Sequence, residues 1–175
     1  MAITDAALAA DLARAGLEFM ERVNGEVNLP LPSPPPYYSP ASCREEHGRF
    51  DANPDEIVGV DDPDLPAKVN AGWWRMATEY DLIDAQREFL LAVDYRDPES
   101  VEPETAWVRV RLADEWDLAG SEVTALGSSF AGLYTERFVP EFTMLSLDHQ
   151  ALLNTTVWGD GTVSTIVIRP DRLPA

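Results

Sequence analysis

Reactive side chains are scarce in this chain of 175 residues. Cys43 is its only cysteine, so an intrachain disulfide is impossible and a reducing compartment is the easier home. Two histidines, His47 and His149, cannot build a multi-histidine metal centre. There is no CxxC pair, no phosphate-binding P-loop and no dinucleotide glycine signature, and Ser128-Ser129 lacks the G-x-S-x-G frame of a nucleophile elbow. No apolar run approaches the ~20 residues that cross a bilayer. Acids at Asp5 and Asp11 oppose a signal-peptide reading of the first residues, so the expected location is the cytoplasm.

What is abundant is negative charge. Acidic residues number 31 against 13 basic ones, a formal charge of -18. Such a field repels nucleic acid and anionic membranes and accelerates encounter with a cationic surface. Lys68 is the sole lysine. Hydrophobic residues make up 45% of the sequence, which a globular protein needs. A chain of this length forms one domain that buries roughly 70% of its unfolded surface. The expected fold is α+β, a single domain over 1–175 of antiparallel β-structure with an amphipathic N-terminal helix and a C-terminal hairpin.

From Thr4 to Val23, Leu8, Leu12, Ala15 and Phe19 recur at helical steps, with Thr4 or Asp5 as cap. A proline-rich loop at 29–40 follows, where six prolines remove backbone donors and favour extended conformation. An acidic loop at 45–64 comes next, interrupted by Ile57-Val58-Gly59-Val60, which reads as a short strand. Gly72 to Tyr80 and Arg87 to Tyr95 read as two strands of a hairpin, the second covered on both faces because Phe89 to Val93 is continuously apolar. Asp97 to Trp116 fits either a helical stripe or a Val-Arg-Val-Arg-Leu alternation. Asp97-Pro98-Glu99, as a helix start, favours the helix. Near the end, Leu152 to Trp158 and Thr162 to Ile168 flank Gly159-Asp160-Gly161, an Asp-Gly turn that supplies positive φ, and Pro170 stops the pairing.

Candidate chemistry is thin. Cys43 and His47 stand four apart and would meet on a helix, yet Glu45 and Glu46 beside them raise a thiol pKa. Asp148-His149 is the other histidine site. Asp51-x-Asn53-x-Asp55 begins like a calcium loop, but Glu56 stands where the loop requires glycine and Asp62 where it takes glutamate. Asn154-Thr155-Thr156 matches a glycosylation sequon inside a strand pattern. These readings leave catalytic, cofactor and metal residues unassigned. Aromatic anchors among carboxylates are the usual material of protein interfaces, and Tyr37, Tyr38, Glu45, Glu46, Asp61, Asp62, Asp64 and Trp74 are the candidate partner-binding residues. One of Trp73 and Trp74 is expected in the core.

In the pair Trp73-Trp74, the strand Phe89 to Val93, the acidic helix candidate after Asp97 and the stretch Leu8 to Met20, the chain resembles actinobacterial immunity proteins of polymorphic toxin systems, nearest those that neutralise tuberculosis necrotizing toxin. The likeness spans half the chain and lies in order and patterning. It implies an α+β antitoxin, without cofactor, that binds a toxin's NAD-hydrolysing domain and blocks its cleft. The implied partner is a protein toxin domain with a basic surface, held one to one by a monomer; nucleic acid and membrane are not expected partners. Two alternatives stand beside it: a small enzyme or ligand-binding protein with a site near His47 or His149, and an acidic chaperone or decoy for a basic protein.

Overall fold

The computed structural model describes residues 4–29, 56–94, 105–128 and 130–169. Helix α1, Asp5–Ala13, starts where the Thr4 hydroxyl accepts the Ala7 N–H at 3.1 Å, satisfying one of the amide donors a helix start leaves unpaired. It is shorter than the periodicity predicts. The chain turns at Gly16, with φ of +84°, a conformation that an L side chain resists. Leu17–Arg22 then forms strand β1, so the helix expected to run to Val23 ends at Ala13, Ala15 lies in the turn and Phe19 belongs to a strand.

Strand β2, Glu56–Gly59, confirms the short apolar run and takes the end of the supposed acidic loop into the sheet. Helix α2, Leu65–Glu79, replaces the first strand of the expected hairpin. Its buried residues Leu65, Val69, Trp73 and Met76 follow helical spacing from Leu65 onward, and Pro66 sits in the first turn, where a missing N–H costs nothing. The aromatic pair Trp73-Trp74 favours strand locally, and the longer stripe overrides it.

Strands β3, Glu88–Asp94, and β4, Thr105–Leu112, pair antiparallel. The helix expected over Asp97 to Trp116 is therefore a strand across its described core. Val108, Val110 and Leu112 are buried on one face, while Arg109 and Arg111 turn to the other and meet Glu21, Glu88 and Glu18. Strands β5, Thr143–Leu145, β6, Leu152–Val157, and β7, Thr162–Ile168, complete a seven-stranded antiparallel sheet in the order β1-β4-β3-β5-β6-β7-β2. The fold is α+β as expected. The β6–β7 hairpin turns through Asp160-Gly161, with Gly161 at φ +81°.

Both helices bury their stripes against one face of the sheet, where Trp73, Phe89, Leu91, Val108 and Val110 are fully enclosed. At roughly 1.5–3 kcal/mol for each large side chain, this layer is the main source of stability. A second, smaller cluster of Leu90, Leu145, Leu152, Ile166 and Ile168 lies on the opposite face, with Val23, Val27 and Leu29 packed on it. Strand β3 is thus central and covered on both faces, as its apolar run predicts.

Candidate functional site

One end of the sheet gathers three loops. The Val60 N–H donates to the Gly161 carbonyl at 2.9 Å, joining the turn after β2 to the β6–β7 turn. Arg137 donates to the carbonyls of Val60 at 3.3 Å and Asp62 at 2.6 Å, tying in the loop after the 3-10 turn Phe130–Leu133. The Tyr134 hydroxyl lies over Gly159, 3.6 Å from where a Cβ would stand.

Asp62 organises this end. One carboxylate oxygen accepts the Asp64 N–H at 2.8 Å and the other accepts the Lys68 ammonium at 2.6 Å. The Lys68 hydrogen bond holds the Asp62 carboxyl below its ordinary range, and the same contact raises the Lys68 ammonium. Both groups face solvent, where such a pair adds little stability. Its effect is positional: Lys68 is occupied and the Arg137 guanidinium is turned to backbone carbonyls, while Asp61, Asp64, Glu136 and Asp160 remain exposed.

Among the described residues, the large apolar side chains that remain exposed are Ile57 at 62%, Leu133 at 74% and Tyr134 at 48%. Tyr134 stands over the hairpin turn, Leu133 precedes it in the chain, and Ile57 stands on β2 three residues before Val60. Apolar side chains among exposed carboxylates are what a docking surface for a basic protein requires. Sequence reasoning named Asp61, Asp62 and Asp64 here and missed Ile57, Leu133 and Tyr134. Composition carries no sign of an isoleucine that a four-residue edge strand leaves uncovered.

Trp74 belongs elsewhere. It meets Trp73 edge-on at 5.9 Å and Trp116 at a tilt at 5.4 Å between ring centroids, and the Arg87 guanidinium lies 5.3 Å over its ring. Trp73 is the enclosed member of the pair, with none of its surface exposed, and Trp74 is half-covered by this internal cluster. The structure does not bring Trp74 to the acidic turn by any contact. Tyr37, Tyr38, Glu45, Glu46, Cys43 and His47, with the proline-rich loop after Leu29 and the calcium-like run Asp51 to Asp55, lie outside the described residues.

His149 borders a shallow recess of about 400 Å³, together with Arg22, Asn24, Leu90, Arg109 and Leu147. Its backbone is left-handed at φ 63°, and its Nδ1 accepts the Asn28 N–H at 3.2 Å. Asp148 beside it is held below the usual carboxylate range, chiefly by the Ser146 hydroxyl donating at 2.6 Å. The cations of the recess are engaged: Arg22 meets Asp5 at 3.0 Å, and Arg109 meets Glu21 and Glu88 each at 3.2 Å. Arg109 Nε faces buried Glu88 Oε1 at an angle that makes a charge contact and not a hydrogen bond.

Among the described residues, no group of three or more His, Cys, Asp or Glu side chains is placed to hold a metal ion, and no helix is long and apolar enough to cross a membrane. Asn154 of the sequon is buried in β6, with its Nδ2 donating to Thr143 at 2.9 Å. No family model, curated protein or solved structure matches the chain.

Proposed function

We propose that this chain is an immunity-type antitoxin, a protein that binds and inhibits a secreted toxin domain of basic surface. The carrying observation is that exposed Ile57, Leu133 and Tyr134 and exposed Asp61, Asp64, Glu136 and Asp160 belong to β2 and to the three loops that Gly161, Gly159 and Arg137 tie together. Apolar side chains supply contact area, and carboxylates steer and select a cationic partner. The likeness to immunity proteins makes an NAD-hydrolysing domain the first toxin to try, with inhibition by occlusion of its cleft. Inhibition of this kind needs no catalytic group, and the rarity of reactive side chains accords with it.

The test is a titration of NAD hydrolysis by such a toxin domain against this protein, with complex formation followed by size-exclusion chromatography. Stoichiometric inhibition with a stable one-to-one complex is the expected result. Full turnover at a large excess of this protein, with no complex, rejects the reading for that toxin class.

A second reading has the His149 recess behind it, which has the volume of a small-molecule site. Its cations are already paired with carboxylates, so an incoming anion must compete with Asp5, Glu21 and Glu88. His149→Ala separates the two readings. Toxin inhibition should survive it unchanged, whereas a ligand-binding role predicts loss of a small-molecule thermal shift.

A further inference from the structure

We propose that the outer edge of β2 receives an extended, lysine- or arginine-bearing segment of a protein partner, which adds to the sheet as a further strand. This deepens the protein-binding reading, on which it rests, by naming the edge that is used.

Backbone direction is the first ground. The Val60 N–H points inward to Gly161, and alternation along β2 points Val58 and Glu56 inward as well, toward β7. The N–H and C=O of Ile57 and the N–H of Gly59 therefore face away from the sheet. No strand among the described residues pairs with that side. The Gly59 carbonyl is already used, accepting the Asp62 N–H at 3.1 Å, so the free ladder is short and centred on Ile57.

Side chains agree with it. Ile57 lies on the sheet face opposite the helices, beside Ser164, and is 62% exposed. It would pack against an apolar residue of an added strand. Gly59 has no side chain of its own, and the Asp61 carboxylate stands 3.0 Å from the position a Cβ would take. A basic residue of the incoming segment thus meets a carboxylate at the end of the ladder. Asp64, Glu136 and Asp160 extend the negative field, whereas Lys68 is occupied by Asp62.

The opposite edge contrasts with this one. Strand β1 carries a register irregularity between Phe19 and Glu21, and its outer residues are tied into ion pairs, Glu18 to Arg111 and Glu21 to Arg109. Bulges and charges of this kind guard an edge against strand addition. Strand β2 shows no such irregularity in its pairing, and the carboxylate at its end, Asp61, repels an acidic strand but attracts a basic one. A second copy of this chain is the disfavoured occupant, because it would bring together two molecules that each carry a charge of -18.

The experiment uses a blocked octapeptide of alternating lysine and valine, its counterpart with glutamate for lysine, and a version N-methylated at alternate residues. Amide hydrogen exchange of the full chain is read by NMR. The lysine peptide should protect the Ile57 and Gly59 amides. The N-methylated peptide keeps charge and side chains but cannot form the ladder, and should bind about tenfold more weakly. Asp61→Asn and Ile57→Lys should each weaken the lysine peptide several-fold with the fold intact by circular dichroism. Equal binding of the methylated peptide, protection mapping to β1, or salt-resistant dimerisation without peptide overturns the proposal. Toxin titration keeps the two claims apart: inhibition that survives Ile57→Lys rejects the edge alone, and edge protection without inhibition of any NAD-hydrolysing toxin rejects the antitoxin reading alone.

Discussion

Glu141 accepts the Val157 N–H at 2.8 Å, yet burial pushes its carboxyl above the ordinary value, so desolvation outweighs that bond. Glu56, whose carboxylate lies under Gly72 of α2, is raised by burial too, against the lowering pull of Arg75 and Lys68. A carboxyl whose folded pKa is raised contributes stability that is complete below the unfolded value, about 4.3 for Glu, and is lost as pH rises through the folded one. Glu141→Gln keeps an oxygen for Val157 and removes the ionisation. It should raise the urea midpoint at neutral pH, and the gain should vanish as pH falls toward 4. Asp148 acts with the opposite sign: its pKa is lowered, and its contribution is lost as pH falls through that depressed value. A urea midpoint series across pH reads both. The tryptophans differ by environment in the same way. Trp73→Ala empties a fully buried site and should cost about 3–5 kcal/mol, whereas Trp74→Ala, on a half-covered ring, should cost clearly less in the same denaturation assay.

Among the elements, α1 and β1 depend on one hinge. Gly16 combines φ of +84° with a position where a Cβ would lie 2.5 Å from the Glu115 carbonyl oxygen. Gly16→Ala should therefore cost more than ~1 kcal/mol, since the left-handed backbone and the contact oppose the methyl together; chemical denaturation measures it. The same hinge explains what the sequence conceals. Leu8 and Leu12 announce a helix and Thr4 announces its start, but nothing in the spacing of Ala15 and Phe19 reveals that Gly16 turns the chain between them. The β6–β7 hairpin was legible because turn chemistry and β-branched residues point the same way. Strand β4 was half legible, its alternation competing with a helical stripe until ion pairs from β1 and β3 settled which face Arg109 and Arg111 take. Helix α2 is hidden in the sequence because its stripe begins at Leu65, directly after the acidic stretch, and only the buried face of the sheet gives that stripe its meaning. The acidic turn Asp61 to Asp64 was visible as charge. Its neighbours Leu133 and Tyr134 lie some seventy residues away and are joined to it through Arg137 and through the β6–β7 turn.

At the scale of the molecule, a charge of -18 has two effects of opposite sign in salt. Within the free chain, like charges repel and oppose the compact state. In an encounter with a basic partner, the same charges attract it from beyond contact distance. Screening over ~10 Å at 0.1 M ionic strength weakens both. Added salt should therefore raise the melting temperature of the free protein and slow its association with a basic toxin domain. Stopped-flow fluorescence should show the association rate falling about tenfold or more from low to physiological salt, with dissociation changed much less. Asp61→Asn with Asp64→Asn should reproduce part of that slowing at low salt and flatten its salt dependence. If negative charge serves solubility alone, salt will stabilise the free chain while the association rate stays flat. That combination would separate the field from the docking surface and leave Ile57, Leu133 and Tyr134 to account for binding by contact area.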